Sequence, residues 1–215
     1  MNELAKRTAA AIVLVAIALV AAVAGGYLFA ALAAAAACIM FYEWRRIVHG
    51  WGLGWQVAGF AYALAPALAL LWIRDRFEVA GNPAGLELLV WVFIVTWSVD
   101  IGAYFAGRSF GGPKLAPAIS PSKTWSGLIG GVVAAAIGGA VWASAVALPL
   151  ATLWLAPLLA VAAQGGDLFE SWLKRRARVK DSGTWLPGHG GALDRLDGLV
   201  VVATLTALAS LGGLL

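Results

Sequence analysis

Long apolar segments separated by short polar ones dominate this chain, and they predict a bundle of membrane-spanning helices. The segments lie at roughly 8–24, 26–43, 52–73, 86–107, 126–147, 149–172 and 198–215. Most approach the ~20 residues that a helix needs to cross the hydrocarbon core of a bilayer. They would cross as helices because lipid offers no partner for free backbone N–H and C=O groups. The pattern therefore predicts an all-α, polytopic membrane protein with about seven transmembrane helices.

The composition also favours a membrane protein over a soluble one. Hydrophobic residues make up 62% of the 215 residues and charged residues 12%, whereas soluble chains carry about 25% charged residues. The single cysteine, Cys38, lies in an apolar segment, which excludes an internal disulfide and indicates a small packed hydrophobe. The basic residues flank apolar segments, so the net charge of +4 does not indicate a nucleic-acid partner.

The distribution of Lys and Arg predicts the orientation of the bundle. If the N-terminus is cytoplasmic, all 15 basic residues except Arg74 and Arg76 fall in cytoplasmic segments, as the positive-inside rule requires. Lys6 and Arg7 before the first apolar segment could also mark a signal peptide. The first apolar segment is longer than the hydrophobic region of a typical signal peptide, and a second apolar segment follows it directly. Both features favour a retained first helix.

A strongly charged stretch, residues 171–197, lies between the last two apolar segments. It begins with a basic run, continues with the Gly-rich segment 187–191 around His189, and ends with Asp194 and Asp197. A basic run alone is more often a topogenic or lipid-headgroup patch. A basic run next to carboxylates indicates a different function, because Arg and Lys bind phosphate oxygens and Asp binds a hard divalent metal. The stretch indicates metal-dependent phosphoryl or nucleotidyl chemistry at a membrane surface. Its basic residues are Lys174, Arg175, Arg176, Arg178 and Lys180.

Carboxylates precede the charged stretch within the sixth apolar segment. Asp167, Ser171 and Lys174 recur at helical spacing and share one face, with Glu170 beside them. A carboxylate in an apolar helix is costly unless it is paired or binds a ligand. A simple ion pair of Lys174 with Asp167 or Glu170 at the helix end is the alternative interpretation.

Asp194 and Asp197 are one helical turn apart and would face the same point if the last helix begins there. Capping of that helix by Asp194, with Asp197 in its first turn, is the alternative.

A second cytoplasmic segment holds Ser120, Lys123 and Thr124 before the fifth helix. Their hydroxyl and ammonium groups could donate to phosphate oxygens, although Ser-Pro-Ser is also ordinary turn chemistry. Asp100 lies inside the fourth segment, where it is either functional or hydrogen-bonded to a neighbouring helix.

These residues, taken together, resemble the signature of the phosphatidate cytidylyltransferases, also called CDP-diacylglycerol synthases. The resemblance covers roughly residues 97–200, and one departure is Ala192, where a larger aliphatic residue is usual. Upstream, the segments 100–104, 107–108, 114–117 and 120–124 also match family patterns. The signature positions are Ser171, Leu173, Lys174, Arg175, Lys180, Asp181, Gly183, Leu186, Pro187, His189, Gly190, Gly191, Asp194, Arg195, Leu196 and Asp197.

The resemblance implies an enzyme that converts CTP and phosphatidate to CDP-diacylglycerol and pyrophosphate with Mg²⁺. It implies a catalytic region at 97–215 and N-terminal helices without a recognised motif at 1–96. It also implies a bacterial inner-membrane location with the site on the cytoplasmic side, contact with membrane lipid, and a homodimer as a candidate assembly. The implied catalytic residues are Asp167, Lys174, Asp194 and Asp197; the metal ligands are Asp167, Asp194 and Asp197; the substrate-binding residues are Ser120, Pro121, Lys123, Arg175, His189, Gly190, Gly191 and Arg195.

Two other functions are alternatives to this one. Asp194 and Asp197 imitate the opening of a CDP-alcohol phosphotransferase motif, but Val201 and Val202 replace the residues that should follow. An ion- or proton-coupled transporter could use Asp100 and Asp167 as a relay. Against a transporter, the polar residues gather at one membrane face and form no continuous path across the bilayer.

Overall fold

The computed structural model describes residues 3–75, 84–183 and 190–215. Each of the seven apolar segments lies on one helix, and helix and segment bounds differ by five residues or fewer. The prediction of an all-α polytopic membrane protein is confirmed. The elements are α1 (Glu3–Ala24), α2 (Gly26–Ile47), α3 (Leu53–Arg74), α4 (Ala84–Phe110), β1 (Lys114–Ala116), β2 (Ser120–Thr124), α5 (Trp125–Ala145), α6 (Ala151–Arg176) and α7 (Leu193–Leu211).

Among the described residues, the five helices α2 to α6 are long and apolar enough to cross a bilayer. In α1 the stretch Val15–Ala24 is helical and apolar. Charged residues in the first turn of α7 shorten its apolar part. The boundary between regions 1–96 and 97–215 falls inside α4. The two regions are therefore distinguished by their sequence motifs and not by a break between helices.

A small β-hairpin joins α4 to α5, where the sequence indicated only turn chemistry. Its strands are antiparallel, with Lys114 opposite Thr124 and Ala116 opposite Ser120. Thr124 ends the second strand and also caps α5, because its Oγ1 accepts a hydrogen bond of 3.1 Å from Gly127 N. The hairpin thereby fixes Lys123, the residue before the cap, next to the ends of α4 and α5.

α4 forms the centre of the larger apolar core. Leu89, Trp91 and Val95 are fully buried on this helix, and Trp91 Nε1 donates to Gly139 O of α5 at 3.2 Å. Small residues of the Gly-rich segment 127–139 let α4 and α5 approach closely. A Cβ atom added at Gly130 would overlap with Ala106 Cβ.

We expect Gly130→Ala to destabilise the protein by roughly 1–3 kcal/mol, because the added methyl group must push α4 and α5 apart. Thermal unfolding in detergent would measure the loss. Gly54→Ala is the matched control, since no atom outside its own turn lies within 4 Å of a Cβ built there. Equal unfolding temperatures for the two variants would contradict this packing.

A second apolar cluster holds the ends of α2, α6 and α7 together. Trp44, Leu173 and Leu193 are buried in it, one from each helix. Trp44 Nε1 also donates to Trp55 O of α3 at 2.8 Å. This cluster fixes the three helix ends that carry the polar residues of the site.

Candidate functional site

The polar residues of α4, β2 and α6 line a cleft of about 410 Å³ at one end of the bundle. Its walls include Asp100 and Arg108 from α4, Lys123 from β2, and Gln164 and Asp167 from α6. The sequence indicated no single role for Asp100, and the fold brings it to the same cleft as Lys123 and Asp167.

Lys123 and Asp167 form an ion pair in this cleft. Lys123 Nζ also donates to Gln164 Oε1 at 2.7 Å, and Ser171 Oγ donates to Asp167 Oδ1 at 3.3 Å. The Lys123 side chain is 15% exposed and that of Asp167 31%. Both charges therefore border the cleft and are reachable by a ligand.

A second charged group lies at the junction of α6 and α7. Lys174 Nζ lies 2.6 Å from Asp194 Oδ1 and 3.2 Å from Glu170 Oε1. The Glu170–Lys174 contact is one of the helix-end pairs that the spacing left open. Asp194 does not cap α7, because the N-cap residue is Ala192 and no side-chain cap is formed there; it joins Lys174 across two helices instead.

The other oxygen of Asp194 is also fully engaged. Asp194 Oδ2 accepts hydrogen bonds of 2.9 Å from Ser182 N, Ser182 Oγ and Gly191 N. Burial raises the pKa of Asp194, which precedes the apolar part of α7, but the hydrogen bonds from Lys174, Gly191 and Ser182 outweigh it and lower the pKa to about 2. Asp194 is therefore a fixed, ionised carboxylate at neutral pH.

Asp197 lies on α7, one turn after Asp194. Its Oδ1 accepts a hydrogen bond of 2.8 Å from Gly198 N. Its charge interacts with those of Asp167 and Asp100. Asp100 and Asp167 line one cleft, and Asp197 is near enough for its charge to interact with both; these three residues are called the acidic region.

Two predicted phosphate ligands instead contact the protein backbone or another site residue. Arg175 is exposed, and its Nε donates to Ile119 O of the hairpin at 3.2 Å. The amide of Gly191 points at Asp194. Gly190 has a φ of 85°, a left-handed conformation that favours glycine, and a Cβ there would lie 3.0 Å from Asp194 Oδ2.

The remaining predicted residues are more dispersed. Ser120 and Pro121 lie on β2, and Ser120 pairs with Ala116. Arg195 is exposed on the first turn of α7. His189 lies outside the described residues. Ser120, Pro121 and Arg195 do not line the cleft, so their roles in substrate binding stay predictions.

The acidic region has the donor chemistry that Mg²⁺ prefers. Within residues 3–75, 84–183 and 190–215, no three His, Cys, Asp or Glu side chains are arranged as a metal cage. Mg²⁺ is usually held by one or two carboxylates together with substrate phosphates, so such a cage is not required. Asp167 and Asp197 supply carboxylate oxygens in one region, and these residues fit an ion bound in that manner.

The fold brings three further side chains to this site for which the sequence predicted no role. Gln164 and Ser182 contact Lys123 and Asp194, respectively. Glu43 of α2 is fully buried and bonds to residues around the start of α7. The signal available for Glu43 was a carboxylate near the end of an otherwise apolar span.

Lys180 offers a test of which basic residues matter. It is exposed in the loop after α6, whereas Lys174 is held between two carboxylates. We expect Lys180→Ala to retain most of the activity and Lys174→Ala to lose it, because only Lys174 has a fixed position beside Asp194. Comparison of kcat for the two variants checks this, and an equal loss would contradict it.

Comparison with known proteins identifies a family and several relatives of this chain. Residues 52–211 match the Cytidylyltransferase family. A phosphatidate cytidylyltransferase of Brucella suis biovar 1 (strain 1330) is 49% identical over 176 residues, 80% of this chain and 61% of the relative. One of Rickettsia bellii (strain RML369-C) is 34% identical over 187 residues, covering 83% and 78%. One of Bacillus subtilis (strain 168) is 46% identical over 121 residues, covering 55% and 45%. The chain thus spans about three fifths of the length of its Brucella relatives.

Proposed function

Because the chain belongs to the Cytidylyltransferase family, we propose that it transfers the cytidylyl group of CTP to phosphatidate and releases pyrophosphate. The observation that carries this proposal is the pair of lysine–aspartate contacts at one end of the bundle, Lys123–Asp167 and Lys174–Asp194. Two ammonium groups and a set of carboxylates at one helix end suit a reaction between two phosphate-bearing molecules in the presence of a divalent cation.

The proposed reaction needs little covalent help from the protein. A phosphate oxygen of phosphatidate attacks the α-phosphorus of CTP and forms a new P–O bond. The bond from that phosphorus to the oxygen bridging to the β-phosphorus breaks, and its electron pair leaves with pyrophosphate. The attacking phosphate is already an oxyanion near neutral pH, since its second pKa is about 6. No strong general base is therefore required, and the site's task is alignment and charge neutralisation.

The lysines are suited to that task. Lys123 borders the cleft, and Lys174 lies where α6 meets α7. Each ammonium group has three donors, so each could contact phosphate oxygens while remaining close to its carboxylate. Lys123 and Lys174 would hold the two phosphate groups in the orientation that the reaction needs.

Mg²⁺ would be held by Asp167 and Asp197 and would stabilise negative charge on the departing pyrophosphate. Asp194, the third ligand that the resemblance implies, has both oxygens bonded to protein donors and would bind the ion only by giving up one of these contacts. Asp167 and Asp197 are the members of this set whose charges interact directly, which supports them as the primary pair. Asp194 is the most firmly held of the three, so it would act from a fixed position.

The protein is an integral membrane protein, and its relatives are bacterial. We place the cleft at the cytoplasmic face of a bacterial inner membrane, because the basic residues collect at that end of the predicted topology. CTP would enter from the cytoplasm and phosphatidate from the inner leaflet. A homodimer is part of this proposal only through the resemblance to the family.

An assay in detergent micelles separates this enzyme from the transporter alternative, which the comparisons do not support. The purified protein should release pyrophosphate from CTP only when phosphatidate and Mg²⁺ are present. A transporter needs a sealed vesicle to produce a measurable effect, whereas the enzyme does not. Absence of phosphatidate-dependent pyrophosphate release would refute the proposed function.

A further inference from the structure

Glu43 connects the N-terminal helices to the charged site. It lies on α2, its side chain is fully buried, and its hydrogen-bond partners are 139 to 150 residues away in the chain. A buried carboxylate is costly unless its oxygens are satisfied. The partners of the Glu43 carboxylate therefore indicate its structural role.

The partners of Glu43 are at the start of α7. Oε1 accepts a hydrogen bond of 3.0 Å from Ala192 N, and Oε2 accepts one of 2.8 Å from Leu193 N. The first N–H groups of a helix have no partner inside it, and Ala192 itself provides no side-chain cap. Glu43 supplies this cap from another helix, and its negative charge also suits the positive end of the α7 dipole.

The same carboxylate is connected to Asp194 through one hydroxyl. Ser182 Oγ lies 3.1 Å from Glu43 Oε2 and 2.9 Å from Asp194 Oδ2. The single hydroxyl hydrogen can serve only one of these oxygens at a time, so Ser182 bridges the two carboxylates. Glu43 thus fixes the backbone just before Asp194 and the side chain that contacts it.

Two glycines in the loop are explained by the same contact. A Cβ atom at Gly183 would overlap with Glu43 Oε1, and one at Gly191 would overlap with Ser182 Oγ. The loop therefore approaches the Glu43 carboxylate as closely as a backbone can. Such close packing around one charge restricts the positions that the first turn of α7 can adopt.

We propose that Glu43 is a positioning residue for the reaction: its carboxylate anchors the start of α7 to α2 and so sets the orientation of Asp194 and Asp197. This inference rests on the proposed function for its catalytic consequence. Its structural part, the tether itself, is independent of which reaction the site performs. Displacements of about 1 Å at a reacting centre can cost roughly 100-fold in rate.

Glu43→Gln tests the tether with little change in shape. One carboxylate oxygen becomes an NH₂ group that faces a backbone N–H donor, so one of the two bonds to Ala192 and Leu193 is lost. We expect kcat to fall roughly 10- to 100-fold with little change in the KM for CTP. Amide hydrogen exchange at Ala192 and Leu193 should become faster. Glu43→Asp, which restores the charge, should recover part of the activity. Glu87→Gln is the matched control, because it makes the same chemical change in the first turn of α4.

A second variant covers the case in which Glu43→Gln does not fold. Gly183→Ala keeps the charge and displaces the Glu43 carboxylate. Gly54→Ala is its control, because a Cβ there lies within 4 Å of no atom outside its own helical turn. The proposal is overturned if a folded Glu43→Gln or Gly183→Ala protein matches its control in kcat, or if kcat falls while exchange at Ala192 and Leu193 is unchanged. An inactive wild-type protein would refute the proposed function, and the exchange measurement would still decide the tether.

Discussion

Asp194→Asn is expected to lower kcat by roughly 1,000-fold while leaving the protein folded in the membrane. The carboxylate is fixed by Lys174, Ser182 and Gly191, so all of its acceptor capacity is directed. Asn would place an NH₂ group against one of these donors and would remove the charge that pairs with Lys174. The loss would therefore fall on the catalytic arrangement, and pyrophosphate release in micelles would measure it.

The control for this variant is Asp75→Asn, which makes the same change at an exposed residue that follows α3. Its rate should equal that of the wild type. Wild-type turnover by a folded Asp194→Asn protein would rule out a catalytic role for this carboxylate.

Asp167→Asn should produce a loss of similar size, roughly 100- to 1,000-fold. Asp167 pairs with Lys123 in the cleft and shares an acidic region with Asp197. Removal of its charge would weaken both the hold on Lys123 and the affinity for a divalent cation. The Mg²⁺ concentration needed for half-maximal activity should therefore rise along with the fall in kcat.

Ser171→Ala provides a graded comparison for Asp167→Asn. It removes only the 3.3 Å hydrogen bond to Asp167 Oδ1 and leaves the carboxylate in place. We expect a much smaller effect on both kcat and Mg²⁺ dependence. If Ser171→Ala were as damaging as Asp167→Asn, the charge of Asp167 would not be the important property.

The helices were predictable because hydrophobic length is a strong and local signal. All seven apolar segments correspond to helices, and even the proline inside α3, Pro66, does not interrupt it. The hairpin of β1 and β2 was not predictable in this way. Its strands have only three and five residues, and β2 contains Pro121. They therefore lack the alternation of apolar and polar residues that identifies a strand.

The site was predictable in its residues but not in all of its contacts. Asp167, Ser171 and Lys174 share a helix, and spacing alone placed them on one face. The 2.6 Å contact between Lys174 and Asp194 depends on how α6 and α7 pack, which spacing does not specify. The role of Glu43 was not predictable from the sequence, because its segment carries no motif and its partners are 149 and 150 residues away in the chain.

The most direct test of the account follows the two ends of the CTP triphosphate separately. Purified protein in micelles is given phosphatidate, Mg²⁺ and CTP labelled with ³²P at either the α- or the γ-phosphate. The account predicts that the α-label enters the lipid phase and the γ-label appears as pyrophosphate at the same rate. An α-label that stays in the aqueous phase, or enters lipid without phosphatidate, would contradict it.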